Sequence, residues 1–87
     1  MRDDGTLSRL IAVASRVAGP ERTPPAVGPE TPLGEGGFWL DSVGLLELVV
    51  ACEAEFKVTF DPERELTVEA LATVGSLAAL IGTKLAR

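Results

Sequence analysis

Asp41-Ser42-Val43 stands where a long stretch rich in proline and glycine gives way to a strongly apolar run, one residue after the aromatic pair Phe38-Trp39. Two chemistries are open to a serine hydroxyl in that place. The plain one is a helix cap: Asp41 or Ser42 accepts a hydrogen bond from a backbone N–H of the first turn, worth ~1 kcal/mol. The other is a tether. Free N–H groups and the positive dipole end favour an anion at a helix N-terminus, so a phosphodiester on Ser42 would strengthen that end. Catalysis by this chain alone has little to work with. There is no histidine and only one cysteine, Cys52. That removes Ser-His and Cys-His catalysis, most zinc sites and any internal disulfide. Asp41 and Ser42 make no catalytic dyad, because adjacent residues on a helix point in different directions. Gly34-Glu35-Gly36-Gly37 lacks the Lys-Ser/Thr and the preceding strand of a phosphate-binding loop. Asp61, Glu63 and Glu65 have the early spacing of a calcium loop, but Leu66 and Ala72 occupy the places of its glycine and its bidentate glutamate.

Charge is distributed unevenly around that serine. Residues 1–40 hold five acids and four bases, a net of −1; residues 70–87 hold only Lys84 and Arg87, a net of +2. Between them, residues 41–69 hold eight acids against Lys57 and Arg64, a net of −6, which completes the overall −5. An acidic balance argues against nucleic acid and anionic membranes as partners. It leaves two readings of the segment, a solubilising face or a docking surface for basic partners, where complementary charge raises on-rates and selects partners. A single cysteine fits a reducing, cytoplasmic compartment. Leu10–Ala14 is too short for a signal peptide and is interrupted at helical spacing by Arg9 and Arg16. No run approaches the ~20 apolar residues of a membrane span.

The elements that must position Ser42 follow from periodicity. The length predicts one small domain, residues 1–87, with a thin core. A first helix is expected over Thr6–Ala18, with Leu7, Leu10, Ile11, Ala14, Val17 and Ala18 inward and Asp3, Asp4 and Thr6 favouring its start. Gly19-Pro20 ends it. Residues 19–41 contain five of the six prolines and fit neither helix nor strand, so they form a long loop that wraps the bundle, anchored by Val27 and Leu33. A second helix is expected from Ser42 to about Glu55. Leu45, Leu48, Val49, Cys52 and Phe56 form its buried stripe; Val43, Glu47, Val50 and Ala54 form a second stripe, with Leu46 and Glu53 beside it. Cys52 thereby belongs to the core. Lys57–Phe60 alternates but has no partner strand, so an extended turn is expected with Val58 and Phe60 inward. A short third helix near Thr67–Ala72, capped by Thr67, and a last helix opened by Thr73 or Ser76 and running to about Lys84 complete the chain, with Leu77, Leu80, Ile81 and Leu85 inward. The fold class is all-α: an irregular four-helix bundle of three main helices and one short one, with a long first loop.

These residues carry a family resemblance. Asp41-Ser42-Val43, followed by Leu45, Glu47, Leu48 and Val49 and then Glu53, Glu55 and Phe56, resembles the acyl carrier proteins, in which an Asp-Ser-Leu motif opens the second helix. The resemblance spans almost the whole chain. It implies that a phosphopantetheinyl transferase, using coenzyme A and magnesium, attaches 4′-phosphopantetheine covalently to Ser42. It implies a non-catalytic carrier of acyl groups as thioesters, shuttling between acyl-loading and acyl-processing enzymes that present basic docking patches. Asp41, Glu47 and Glu53 would meet those patches, and Val43 and Val50 would supply the apolar centre. Three departures stand out: Val43 for the usual Leu, Gly44 where a polar residue is frequent, and Trp39 where many members have Gly. Trp39 either plugs the end of the bundle, or contacts the arm or its cargo, or marks a specialised partner. Asp before Ser leans toward acyl over peptidyl or aminoacyl carriers. The chain limits resemble those of a discrete, monomeric carrier, and six Arg against two Lys points to a bacterial source rich in G and C. Polyketide or other natural-product biosynthesis is the expected setting; a housekeeping fatty-acid carrier, a nonribosomal peptidyl carrier, and an unmodified helical adaptor that binds through its acidic helix are the alternatives.

Overall fold

A computed structural model describes residues 5–86. Its regular elements are three helices, α1 (Thr6–Ala18), α2 (Ser42–Phe56) and α3 (Val74–Leu85), with no strand among the described residues. Helix α1 packs against both α2 and α3. It begins after Gly5, whose left-handed backbone suits glycine; Asp3 and Asp4, expected to favour this start, lie outside the described residues. Leu10, Val13 and Ala14 turn inward from α1, with Leu7, Ile11, Val17 and Ala18 packed at the edge of the core. Arg9, off the apolar stripe, ties α1 to the end of α2. Its Nη2 donates to the Glu55 carbonyl oxygen (2.8 Å), its Nε pairs with the Glu55 carboxylate (3.1 Å), and its guanidinium lies 4.5 Å from the Phe56 ring centre.

Helix α3 settles which residue starts it. Thr73 and Ser76 close a capping box, in which the Ser76 N–H donates to Thr73 Oγ1 and the Thr73 N–H to Ser76 Oγ. Val74, Leu77 and Ile81 are its buried residues, while Leu85, expected inward, is 38% exposed. The short helix expected near Thr67–Ala72 is replaced by hydrogen-bonded turns. Thr67 does cap, accepting from the Ala70 N–H, and the Leu71 N–H reaches the Thr67 carbonyl, but the Ala72 N–H turns to Glu69. Six residues are too few to offset the cost of helix nucleation: Leu71 packs at the edge of the core, but Val68 points into solvent and Thr73 is already extended. The described residues therefore form three helices, and the expected fourth short helix is not among them. Before those turns, Phe60 enters the core and Val58 packs at its edge.

Residues 19–41 carry no helix, and their second half is fastened on two sides. Toward α3, the Leu33 N–H donates to the Ala72 carbonyl, and the Pro29 and Thr31 carbonyls accept from the Gly75 and Val74 N–H groups. Two of the N–H groups that a helix start leaves without intrahelical partners are satisfied in this way. The approach is close enough that a Cβ on Gly75 would lie 2.8 Å from the Pro29 carbonyl oxygen. Toward α2, the strap folds on itself: the Phe38, Trp39 and Leu40 N–H groups donate to the carbonyls of Pro32, Gly34 and Leu33. Leu33, Phe38 and Leu40 are buried. Val27 packs at the edge of the core, so Leu33 is the deep anchor of the expected pair.

Candidate functional site

The strap delivers the chain to α2 with Leu40 buried and Asp41 extended (φ −86°, ψ −171°). Asp41 is the cap. Its Oδ1 accepts from the Gly44 N–H at 2.8 Å and its carbonyl from the Leu45 N–H. Gly44 lets this junction close: a Cβ there would meet Leu40 at 3.0 Å and Asp41 Oδ1 at 3.4 Å. Ser42 is therefore the first residue inside the helix and exposed, and no described residue hydrogen-bonds to its hydroxyl. The two readings of the serine thus separate. Capping falls to Asp41, and the Ser42 Oγ is left free at the positive end of a fifteen-residue helix.

Helix α2 is apolar on both faces. Leu48, Val49, Cys52 and Phe56 are buried on one side, with Leu45 partly buried beside them. On the other, Val43, Leu46 and Val50 are more than half exposed. At about 100° per residue these three fall within an arc of about 60°, and Glu47 borders them about 40° from Val43. Leu46 belongs to this exposed set as fully as Val43 and Val50; its place beside the second stripe in the sequence was the signal for it. The buried side chemically silences Cys52. Burial, with the nearby Glu55 charge, pushes its thiol from 9.0 up to about 12, so at neutral pH it holds its proton and is a poor nucleophile.

Asp41, Glu47 and Glu53, the acids expected at the docking face, and Glu55 beside them divide by what they already hold. Asp41 caps α2. The Glu53 carboxylate, half-buried, accepts from the Phe60 N–H at 2.9 Å, and its carbonyl accepts from Lys57 and Val58 N–H groups. Glu55 is bound by Arg9. Glu47 alone among the α2 acids is exposed without an internal partner among the described residues.

Trp39 does not plug the bundle. Phe38 fills that place completely, and Trp39 turns outward with a left-handed backbone, φ +59°. Nothing in two adjacent aromatics tells which one is buried; the fold of the strap decides it. The left-handed φ also gives a physical reason for glycine to suit this position, three residues before the serine.

Among the described residues no group of three or more metal-ligating side chains gathers, and no helix is long and apolar enough to cross a membrane. A shallow groove lined by Phe60, Asp61, Glu65 and Lys84 shares no residue with the Ser42 junction, and its charges already pair with each other. Compared with known protein families, residues 8–81 match the family model described as the phosphopantetheine attachment site. Comparison with curated proteins and with solved structures finds no match.

Proposed function

This chain belongs to the family of phosphopantetheine attachment sites, whose members carry covalent 4′-phosphopantetheine and are generally non-catalytic, and we propose that Ser42 is the attachment residue and that the cargo is acyl. One observation supports the assignment above the rest: Asp41 takes the capping role, so Ser42 stands exposed at the helix start with its hydroxyl free. The residues fit the group. The exposed Oγ leaves room for an arm, and the helix end favours the phosphodiester that joins it. The arm supplies a terminal thiol that holds acyl groups as thioesters.

In the attachment step the Ser42 Oγ bonds to the pantetheine-side phosphorus of coenzyme A, and adenosine 3′,5′-bisphosphate leaves. This chain has no histidine, and its nearest carboxylate, Asp41, has one oxygen committed to the Gly44 N–H. The serine proton is proposed to pass to a base of the phosphopantetheinyl transferase. Asp41 at the cap and Val43, Glu47, Val50 and Glu53 along α2 are proposed as partner-binding residues, with Glu53 acting chiefly by holding Phe60. The Asp before Ser supports acyl over peptidyl cargo, and Trp39 in place of the family's frequent Gly supports a specialised natural-product pathway, polyketide biosynthesis foremost, in the cytoplasm of a bacterium.

Intact-mass measurement after incubation with coenzyme A, magnesium and a broad-specificity transferase tests the attachment. One phosphopantetheine adduct on the wild type and none on Ser42→Ala is expected. No adduct on the wild type, or an adduct that survives Ser42→Ala, overturns it. Because Cys52 is buried with its thiol near 12, a thiol reagent at neutral pH should label the modified protein once and the unmodified protein not at all. That label then reports the arm during acyl loading.

A further inference from the structure

Any enzyme that acts on Ser42 must bring its reacting groups to the Oγ, and its footprint must cover what surrounds that atom. A standard interface buries about 800 Å² per partner, a disc of roughly 16 Å radius. Val50, eight residues along α2, lies only about 12 Å from Ser42 down the helix axis. Trp39 is three residues away in the chain, within about 11 Å at full extension. That footprint holds four of the large exposed apolar side chains: Trp39 (57%), Val43 (62%), Leu46 (62%) and Val50 (57%). On α2 within it, one acid lacks an internal partner among the described residues, Glu47. Asp41, Glu53 and Glu55, which make the segment look like a charged docking surface, are engaged in holding α2, Phe60 and α1.

We infer that the phosphopantetheinyl transferase docks on this chain through an apolar surface, the α2 arc Val43-Leu46-Val50 together with Trp39 of the strap, with Trp39 as its anchor and Glu47 as the orienting charge on α2. The inference rests on Ser42 being the attachment residue. The partner surface is accordingly an apolar groove with one cation at its edge, not a broad basic patch. Large aromatic side chains dominate binding energy where they enter a dry pocket, whereas rim charges chiefly set on-rate and salt dependence. Trp39 keeps an indole outward on a left-handed backbone that disfavours any side chain, which is what an anchor retained for contact looks like.

The test is the steady-state rate of phosphopantetheine transfer from coenzyme A, which carries no acyl cargo, so an effect of Trp39 reports docking and not cargo contact. All the substituted side chains are exposed, and circular dichroism checks that each variant stays folded. Trp39→Ala and Leu46→Ser should each lower kcat/KM about tenfold or more through KM, with kcat little changed. Glu47→Gln should cost about threefold or less, and raising the salt from low to several times physiological should slow transfer by a similarly small factor. Variants of Trp39 and Leu46 that match the wild type, or a transfer rate that collapses with added salt, overturn the inference. Failure of the wild type to be modified overturns the attachment reading instead, and is read without any of these variants.

Discussion

Residues 19–41 and residues 57–73 both join helices without forming one, but they are held by different forces. The first connection is fastened by apolar side chains and backbone. Leu33 and Phe38 have no exposed surface, and the strap's carbonyls bind the first N–H groups of α3. The second relies on carboxylates. Glu53 holds the Phe60 N–H; Glu65 holds the Asp61 N–H with one oxygen and Lys84 Nζ with both, at 2.8 and 2.9 Å; Asp61 holds the Glu63 N–H. Lys84 in turn lies 5.6 Å from the Phe60 ring centre. The connection that must place Ser42 is thus part of the core, and many of the acids that follow Ser42 serve as fasteners. Charge counted along residues 41–69 overstates the charge offered to a partner.

The comparison breaks most sharply at Phe38. Phe38→Ala should cost about 3–5 kcal/mol, because it empties a site with no exposed surface. Gly37→Ala belongs beside it, since a Cβ there would overlap the Pro32 carbonyl oxygen, and a loss of ~3 kcal/mol or more is expected. Denaturant melts measure both. If either variant keeps wild-type stability, the first connection is not part of the core and the contrast collapses.

The second connection should answer to smaller changes. Lys84→Met keeps the apolar stem but leaves Glu65 without its ammonium, and the Lys84 side chain is only 10% exposed. A loss of about 1–3 kcal/mol is expected, between the values for surface and buried pairs. Amide exchange should localise it: the Asp61 and Phe60 N–H groups should lose protection before those of Leu33 and Leu40. Uniform loss of protection would show that the two connections unfold as one unit. Glu53→Gln retains an acceptor for the Phe60 N–H and removes only the charge, so a cost of about 1 kcal/mol or less is expected.

What the sequence disclosed follows the same division. Helices α1 and α2 are legible because apolar residues recur at helical spacing, and α2 runs only to Phe56, one residue past its expected end. The start of α3 was narrowed to Thr73 or Ser76, and the two prove to be halves of one cap. The Asp-Ser junction was legible as a helix start, yet which residue caps depends on Asp41 reaching the Gly44 N–H. Phe38 and Leu40 carry no periodicity, so their burial follows from the strap closing on itself. Glu53 looked like a surface acid because its acceptor role needs a turn seven residues on. Local pattern reveals elements; groups paired across a turn emerge only once the turn is closed.

The smallest effect concerns the backbone at the site itself. A left-handed φ on a residue other than glycine costs ~1–2 kcal/mol, and Trp39 has one at +59°. Trp39→Ala and Trp39→Gly both delete the indole, so they share any loss of packing and differ in what the backbone tolerates. Glycine should regain the strain but concede about 0.4–1 kcal/mol to the greater freedom of its unfolded chain. The expected net is a Trp39→Gly protein more stable than Trp39→Ala by about 0.5–1 kcal/mol, read from paired denaturant melts. Both should be equally poor transferase substrates, since neither has an anchor. A Trp39→Gly protein less stable than Trp39→Ala by about 0.4–1 kcal/mol would show that the strap imposes no strain at position 39, and the indole would then need no contact to account for its place there. A more stable glycine variant that is also the poorer substrate relative to wild type would place stability and docking in opposition at one residue, on the connection that is otherwise built for rigidity.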